Sequence, residues 1–331
     1  MTVNSPYSGK PMRVVYEPDI WEMRGEKYPY VHIAFRDDEN NEQFTTTESD
    51  MICFDQVANQ YREKHGIPYT DEIVALRERY GVSATKMAQI LGFGTNQYRL
   101  YEMGEVPSES NGKMIRSAMN PRVFLDLVQS SRNLLTEKDL AKITARVEDV
   151  IASSVGRQNE QWESARLFRT GRGLMNGFAP QSLERLKNLL LYVLGQMGET
   201  FQTKMNKVLF YIDFLSYRER GMAISGLVYQ AMEFGPVPQR WDRVYSAFDE
   251  VEQQIRLVQG QECLSLLPGG VADMRCFSAA EKAIIDQVCE RMRDMSSRAA
   301  SKMSHEESLW KDHVGKPETI PFCEAFSLMG V

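Results

Sequence analysis

The stretch Ser83-Ala84-Thr85-Lys86-Met87-Ala88-Gln89-Ile90-Leu91-Gly92-Phe93-Gly94-Thr95-Asn96-Gln97-Tyr98-Arg99-Leu100-Tyr101-Glu102-Met103-Gly104 decides how the chain is read. Ser83 suits a helix cap, and Met87, Ala88, Ile90 and Leu91 recur at the spacing of one buried helix face. Gly92-Phe93-Gly94 breaks that pattern with a tight turn, and a second helix is expected from Thr95 to Met103 with Tyr98 and Tyr101 inward. Upstream, Thr70 is the expected cap of a helix from Asp71 to Tyr80, whose Asp71 and Glu72 suit the positive end of the helix dipole. Gly81 ends it. A short helix, a glycine turn and a second short helix with inward aromatics is the layout of a helix-turn-helix, whose second helix enters the major groove. Thr95, Asn96, Gln97 and Arg99 lie near its leading end; Asn and Gln match the edge of adenine, and Arg matches that of guanine. On periodicity alone, three small packed helices remain the alternative.

Charge bounds what such a unit does. The chain carries a formal charge of −6, so no global positive field draws it onto nucleic acid. Between Asp71 and Gly104, Arg77, Arg79, Lys86 and Arg99 are balanced by Asp71, Glu72, Glu78 and Glu102. One copy should bind weakly, and a homodimer on paired half-sites is expected. Beyond Pro107, Lys113 to Met119 reads as helix, and Asn120-Pro121 starts another whose Val123, Phe124, Leu127 and Val128 close the domain or meet a second copy. Thr136 to Ala152 is helical as well.

Met12 to Phe44 is rich in β-prone residues, with turn signals at Gly9, Gly25 and Asn40-Asn41, so a small antiparallel sheet is expected. Glu48 to Glu63 reads as helix through Met51, Phe54, Val57, Ala58 and Tyr61. Ser153 to Pro180 is polar and carries Gly171, Gly173 and Gly177; a linker is expected there, with an ordered loop as the alternative. Further on, Leu183 to Met197 and Lys204 to Arg218 read as core helices. Leu227 to Phe234 reads as a strand, Gly235-Pro236-Val237-Pro238 as a rigid turn, and Gln239 to Phe248 as a helix. A hairpin is expected through Gly260. Ser278 with Glu281 predicts a capping box before a helix running to Ala299, and Ser304 with Glu307 predicts another before Trp310. The fold class is therefore mainly α, multidomain α+β, with modules at 1–66, 67–152 and 181–331 and a linker at 153–180.

Three resemblances sharpen this. Tyr80-Gly81-Val82-Ser83, Gly92 to Tyr98 and Tyr101-Glu102-Met103-Gly104 resemble the Xre-class repressor helix-turn-helix, in particular its MqsA-type version. That implies Asn96 as a base reader, with Leu100 where the family has a second reader, an arginine. Arg99 points about 100° away around the helix and would meet phosphate or another base. Ala84 stands where many such repressors carry glutamine, leaving Thr85 and Lys86 as backbone contacts. Ser5 to Lys10, Arg24-Gly25 and Glu48-Ser49-Asp50 resemble the N-terminal domain of MqsA-type antitoxins. There two cysteine pairs hold zinc; Ser5 and Ser8 replace the first pair and Arg36 and Glu39 fall near the second. Hydroxyls and a guanidinium do not replace thiolates, so no metal is expected and Trp21, Tyr28, Tyr30, Phe35 and Phe44 must supply the core. Finally, Lys204 to Tyr211, Glu233 to Val237 and Ser304-His305 with Trp310 are similar to the SocA-like, or Panacea, domain over roughly Leu183 to Phe326. That resemblance implies an antitoxin domain whose partner is a protein toxin. Phe234, Gly235, Pro236 and Val237 then form a stiff projection, with Tyr211, Trp241 and Tyr245 as aromatic anchors. For Tyr211 and Trp241, core and interface are both open readings.

No phosphate-cradling glycine loop, serine elbow or cysteine–histidine signature occurs. The five cysteines form no close pair, and no apolar run is long enough to span a bilayer. Neither a cofactor nor catalysis is expected, and a cytoplasmic setting is. The expected partners are a cognate toxin and operator DNA, with no membrane. Two readings compete with this one. The first is a stand-alone repressor whose C-terminal domain senses a ligand or presents it to a protease. The second is a metal-dependent hydrolase centred on His305, either with Glu306 or with His313 and Cys323.

Overall fold

The computed structural model describes residues 3–154, 158–168 and 170–331, with the backbone alone for 154 and 158–161. The chain forms two compact units, one of Met1–Val57 with Trp162–Val331 and the other of Ala58–Gln161. The architecture is mainly helical with small antiparallel sheets, as the sequence predicts.

Strands β1 (Arg13–Met23) and β2 (Glu26–Arg36) pair antiparallel from Arg13↔Arg36 to Met23↔Glu26. The turn between them needs two left-handed residues, and Arg24 (φ 53°) with Gly25 (φ 82°) supplies them. β3 (Gln43–Phe44) adds a short third strand. Tyr28 and Phe35 are buried, whereas Trp21 stays at the surface and meets Tyr30 and Phe54 edge-on. Ser5 and Ser8 converge on one buried carboxylate, with Ser5 Oγ 2.5 Å and Ser8 Oγ 3.3 Å from Asp37 Oδ2. The Glu39 amide donates to the other oxygen at 2.9 Å. Hydrogen bonds thus hold the Ser5–Ser8 turn to the end of β2. Helix α1 (Thr47–His65) follows.

In the second unit α2 (Thr70–Tyr80) starts after Tyr69, so Thr70 lies in its first turn and is not the cap. α3 (Ala84–Leu91) is capped by Ser83, which accepts from the Lys86 amide. Gly81 (φ 63°) and Gly92 (φ 74°) end the two helices in the left-handed conformation that a Cβ disfavours. α4 (Gln97–Glu102) is shorter than the expected 95–103. α5 (Glu109–Ala118) begins earlier than expected, behind the cap of Ser108. α6 (Pro121–Ser130) follows the Asn120 cap, and α7 (Glu137–Ser154) completes the bundle. One apolar cluster joins them, including Ile73, Met87, Tyr98, Ile115, Phe124 and Val147. Tyr80 stacks face to face on Phe124 with centroids 3.9 Å apart.

Part of the 153–180 stretch expected as a linker is regular: α8 (Gln158–Leu167) forms, and Leu167, Phe168, Phe178 and Ala179 are buried. Residues 155–157 and 169 of that expectation lie outside the described residues. Next come α9 (Leu183–Met197), β4 (Thr200–Phe201) and α10 (Gln202–Arg220). α10 is buried without interruption from Lys204 to Tyr217, because β6, α11, α12 and the 322–327 turn all pack against it. β5 (Tyr229–Met232) and β6 (Gly235–Pro238) form a hairpin turning at Glu233-Phe234, so Gly235 to Pro238 is strand where a turn was expected. Residues 239–247 make successive turns where a helix was expected. β7 (Val251–Val258) and β8 (Gln261–Pro268) form the expected hairpin, and β4 joins it in the order β4-β8-β7.

α11 (Ala279–Met292) has the expected Ser278–Glu281 capping box. It stops at Met292, and α12 (Ser297–Glu306) restarts behind the cap of Ser296, so the single helix to Ala299 is two. The second expected box is not formed. Ser304 lies inside α12 and donates to the Ser301 carbonyl, while Glu307 precedes α13 (Ser308–Lys311). Among the described residues, no helix is long and apolar enough to cross a membrane.

Candidate functional site

In the second unit α4 is fixed on its inward side. The buried Tyr98 hydroxyl donates to the Ile73 carbonyl at 2.7 Å, and Arg77 Nε reaches Glu102 at 2.5 Å. The Tyr101 hydroxyl accepts from Asn111 at 2.8 Å. Burial pushes the Tyr98 phenol far above its ordinary pKa, so it remains a donor throughout the physiological range. Locking the inner face determines what faces out. Thr95, Asn96 and Arg99 are exposed, and Gln97 is half-buried with its amide on Glu105 at 2.9 Å. Arg99 forms no side-chain hydrogen bond or ion pair among the described residues. The arrangement has the chemistry of base-edge contact: an amide and a guanidinium at the leading end of a short, rigid helix.

The two expected backbone contacts on α3 differ. Thr85 is exposed. Lys86 is not free, because its ammonium lies 2.5 Å from Asp139, which also accepts from Thr136 at 2.8 Å. The hydrogen bond from Lys86 holds the Asp139 carboxyl below its ordinary pKa. A phosphate would have to compete with that carboxylate for Lys86. Leu100, where the resemblance has a second reader, is exposed, as is Met103 just beyond α4, and they make this outward face partly apolar.

In the first unit the expected partner anchors divide. Tyr211 and Tyr245 are buried in the core, with hydroxyls that donate to Glu307 at 3.2 Å and Asn206 at 2.6 Å. Gly235, Pro236 and Val237 are also buried, as the strand β6. The expected projection is therefore a core strand. Gly235 (φ 104°) is needed because a Cβ there would lie 2.5 Å from Ser304 Oγ and 2.7 Å from Lys207 Cε. Two of the named residues do face solvent: Phe234, 65% exposed at the hairpin tip, and Trp241, 41% exposed.

Two buried acids tie this unit together: Asp213, which no sequence pattern singled out, and Glu307, expected only as part of a capping box. Asp213 accepts from the Ile224 and Ser225 amides at 2.8 Å each, from the Tyr229 hydroxyl at 2.6 Å and from the Ser225 hydroxyl. Burial raises its carboxyl pKa against the pull of those donors. Glu307 accepts from Tyr211 and from the Met329 and Gly330 amides at 3.0 and 2.8 Å.

The hydrolase reading finds no assembled centre. His305 stacks on Trp310 with centroids 4.0 Å apart, while His313 pairs with Glu324 at 3.0 Å. Among the described residues no group of three or more His, Cys, Asp or Glu is arranged to hold a metal ion.

No curated protein and no solved structure matches the chain. Residues 205–311, from the first turn of α10 to the end of α13, match the family model of the antitoxin SocA-like, Panacea domain.

Proposed function

We propose that the chain is the antitoxin of a bacterial type II toxin–antitoxin pair, acting in the cytoplasm. The domain at 181–331 binds and neutralises a protein toxin, and the helix-turn-helix module at 67–152 represses the operon as a homodimer. The observation that carries this reading is the match of residues 205–311 to an antitoxin domain. Support for the DNA-binding half is geometric: α4 keeps Tyr98 and Tyr101 inward and presents Thr95, Asn96 and Arg99 outward. With so little unpaired positive charge near α4, useful affinity depends on two modules engaging paired half-sites. The first unit contributes contact surface at Phe234 and Trp241, an aromatic pair of the kind that anchors interfaces.

The test is co-expression with the neighbouring reading frame. Growth arrest by that frame alone, relieved when this chain is present and accompanied by co-purification, is the expected result. Arrest that persists despite abundant soluble chain, or a neighbour with no toxicity, counts against the antitoxin role and leaves a stand-alone repressor.

A further inference from the structure

An open groove of about 610 Å³ lies between the tip of the β5–β6 hairpin and α12. Phe234 forms one wall, and Ser296, Arg298, Ala299, Ser301, Lys302 and His305 form the other. Arg298 and Lys302 are exposed and make no ion pair among the described residues. Under the groove lies a third cation. Lys207, on the buried stretch of α10, has no solvent exposure, and its ammonium finds no hydrogen-bond partner among the described residues. It ends 3.2 Å from where a Cβ of Gly235 would stand, alongside Ser304, so it sits against the residues adjoining Phe234 and His305 of the two walls. His305 Nε2 is likewise buried and unpartnered.

An ammonium buried without a counter-charge is among the costliest arrangements in a protein interior, and replacing it with an apolar side chain of similar volume should be stabilising. Lys207 burial alone pushes its pKa down to about 8, with no carboxylate close enough to offset it. The pKa of His305 is lowered first by burial and then by Lys207. The first turn of α12 adds its dipole, since Ser296 caps it and Arg298 and Ala299 line the groove.

We propose that this groove binds a carboxylate-bearing segment of a partner protein, with the carboxylate held by Arg298, Lys302 and His305 above the buried Lys207 and an adjoining apolar side chain against Phe234. The groove is larger than a free inorganic anion requires, and its aromatic wall suits a peptide with an apolar residue next to an acid. The proposal rests on the partner-binding reading above for the nature of the occupant.

The test uses the full chain and a fluorescein-labelled peptide of alternating Glu and Leu, read by fluorescence anisotropy. A peptide with Gln in place of Glu, inorganic phosphate and a single-stranded oligonucleotide serve as competitors. The expected result is saturable binding of the Glu peptide, weakened at least about tenfold by Lys207→Met and by Arg298→Glu with Lys302→Glu, and poorly competed by the other three. Lys207→Met removes a buried charge, so it should fold and melt at a higher temperature, which separates lost binding from lost structure. Equal binding of the Gln peptide, insensitivity to these substitutions, no binding at all, or stronger competition by phosphate or oligonucleotide would overturn the proposal. If Lys207→Met loses peptide binding but still rescues growth as well as the parent, the site is not the toxin contact and the proposal falls while the antitoxin reading stands. Failure of the parent chain itself to rescue growth would sink that reading and leave the peptide result independent.

Discussion

Helices α4 and α10 show opposite ways of using polar residues. α4 is six residues long, with Tyr98 and Tyr101 turned inward and Arg99 pointing to solvent. α10 is buried on every side from Lys204 to Tyr217, so its polar residues point into the core. There each polar group has a different situation. Lys204 donates to the Arg293 carbonyl at 2.8 Å, Asn206 accepts from Tyr245, and Asp213 gathers four donors. The Lys207 ammonium has no hydrogen-bond partner among the described residues. On an amphipathic helix, an outward polar residue with no partner is ordinary. On a buried helix it is a free-energy cost, and one that points to a ligand.

That contrast is open to direct tests. Asp213→Ala should be the most damaging change, because it leaves two buried amides and two hydroxyls unsatisfied at about 1–3 kcal/mol each before relaxation. Denaturant unfolding should show a loss on the order of 4 kcal/mol in the first unit, and a loss below about 1 kcal/mol would mean the cluster is not a keystone.

The next test is a pH effect. Lys207 in the folded chain holds its proton less tightly than the ordinary value of 10.5, with a pKa of about 8. Between those values the unfolded chain binds more protons, so stability should rise with pH. The gain attributable to Lys207, taken as the parent minus Lys207→Met difference, should be on the order of 2 kcal/mol between about pH 8 and pH 9.5. Parallel stability curves for the two proteins would show the ammonium to be paired or hydrated.

Tyr98→Phe in the second unit should cost about 1 kcal/mol by stranding the buried Ile73 carbonyl. It should also weaken operator binding through α4 without changing base preference, which a binding-site selection would read. The smallest effect belongs to Lys86→Met. Its partly exposed pair with Asp139 contributes at most about 1 kcal/mol to stability, and DNA affinity should change little because Lys86 is already engaged. A large affinity loss would place Lys86 on phosphate after all.

Legibility followed the same division. Helix α3 is legible because its determinants are local: Ser83 as cap, Gly92 as stop, and Met87, Ile90 and Leu91 at helical spacing. The Ser278–Glu281 box and the turn at Gly260 were visible for the same reason. What depends on distant partners was not. Lys86 meets Asp139 across 53 positions, which no local pattern reveals. The Gly235-Pro236-Val237 run reads as a projecting turn, yet it is strand because it pairs with Tyr229–Met232, a partner local pattern does not reveal. Ser304 and Glu307 fit a capping box by spacing, but Glu307 is used by Tyr211 and the 329–330 backbone instead. At the N-terminus Ser5 and Ser8 draw notice only through a resemblance; Asp37, where their hydroxyls meet, lies about thirty positions away and no local pattern marks it. Of the candidate site residues, Thr95, Asn96 and Arg99 are at the surface, while Tyr211 is core because α10 is buried on all sides there, and Tyr245 is core where its hydroxyl meets Asn206 of that helix.

The central claim is that two separate surfaces hold two different macromolecules, and one double variant addresses it. Asn96→Ala with Arg99→Ala should lower operator affinity at least about a hundredfold, while the same protein relieves toxin-induced growth arrest as well as the parent. Loss of both activities in a variant that melts like the parent would contradict the division of labour proposed for this chain.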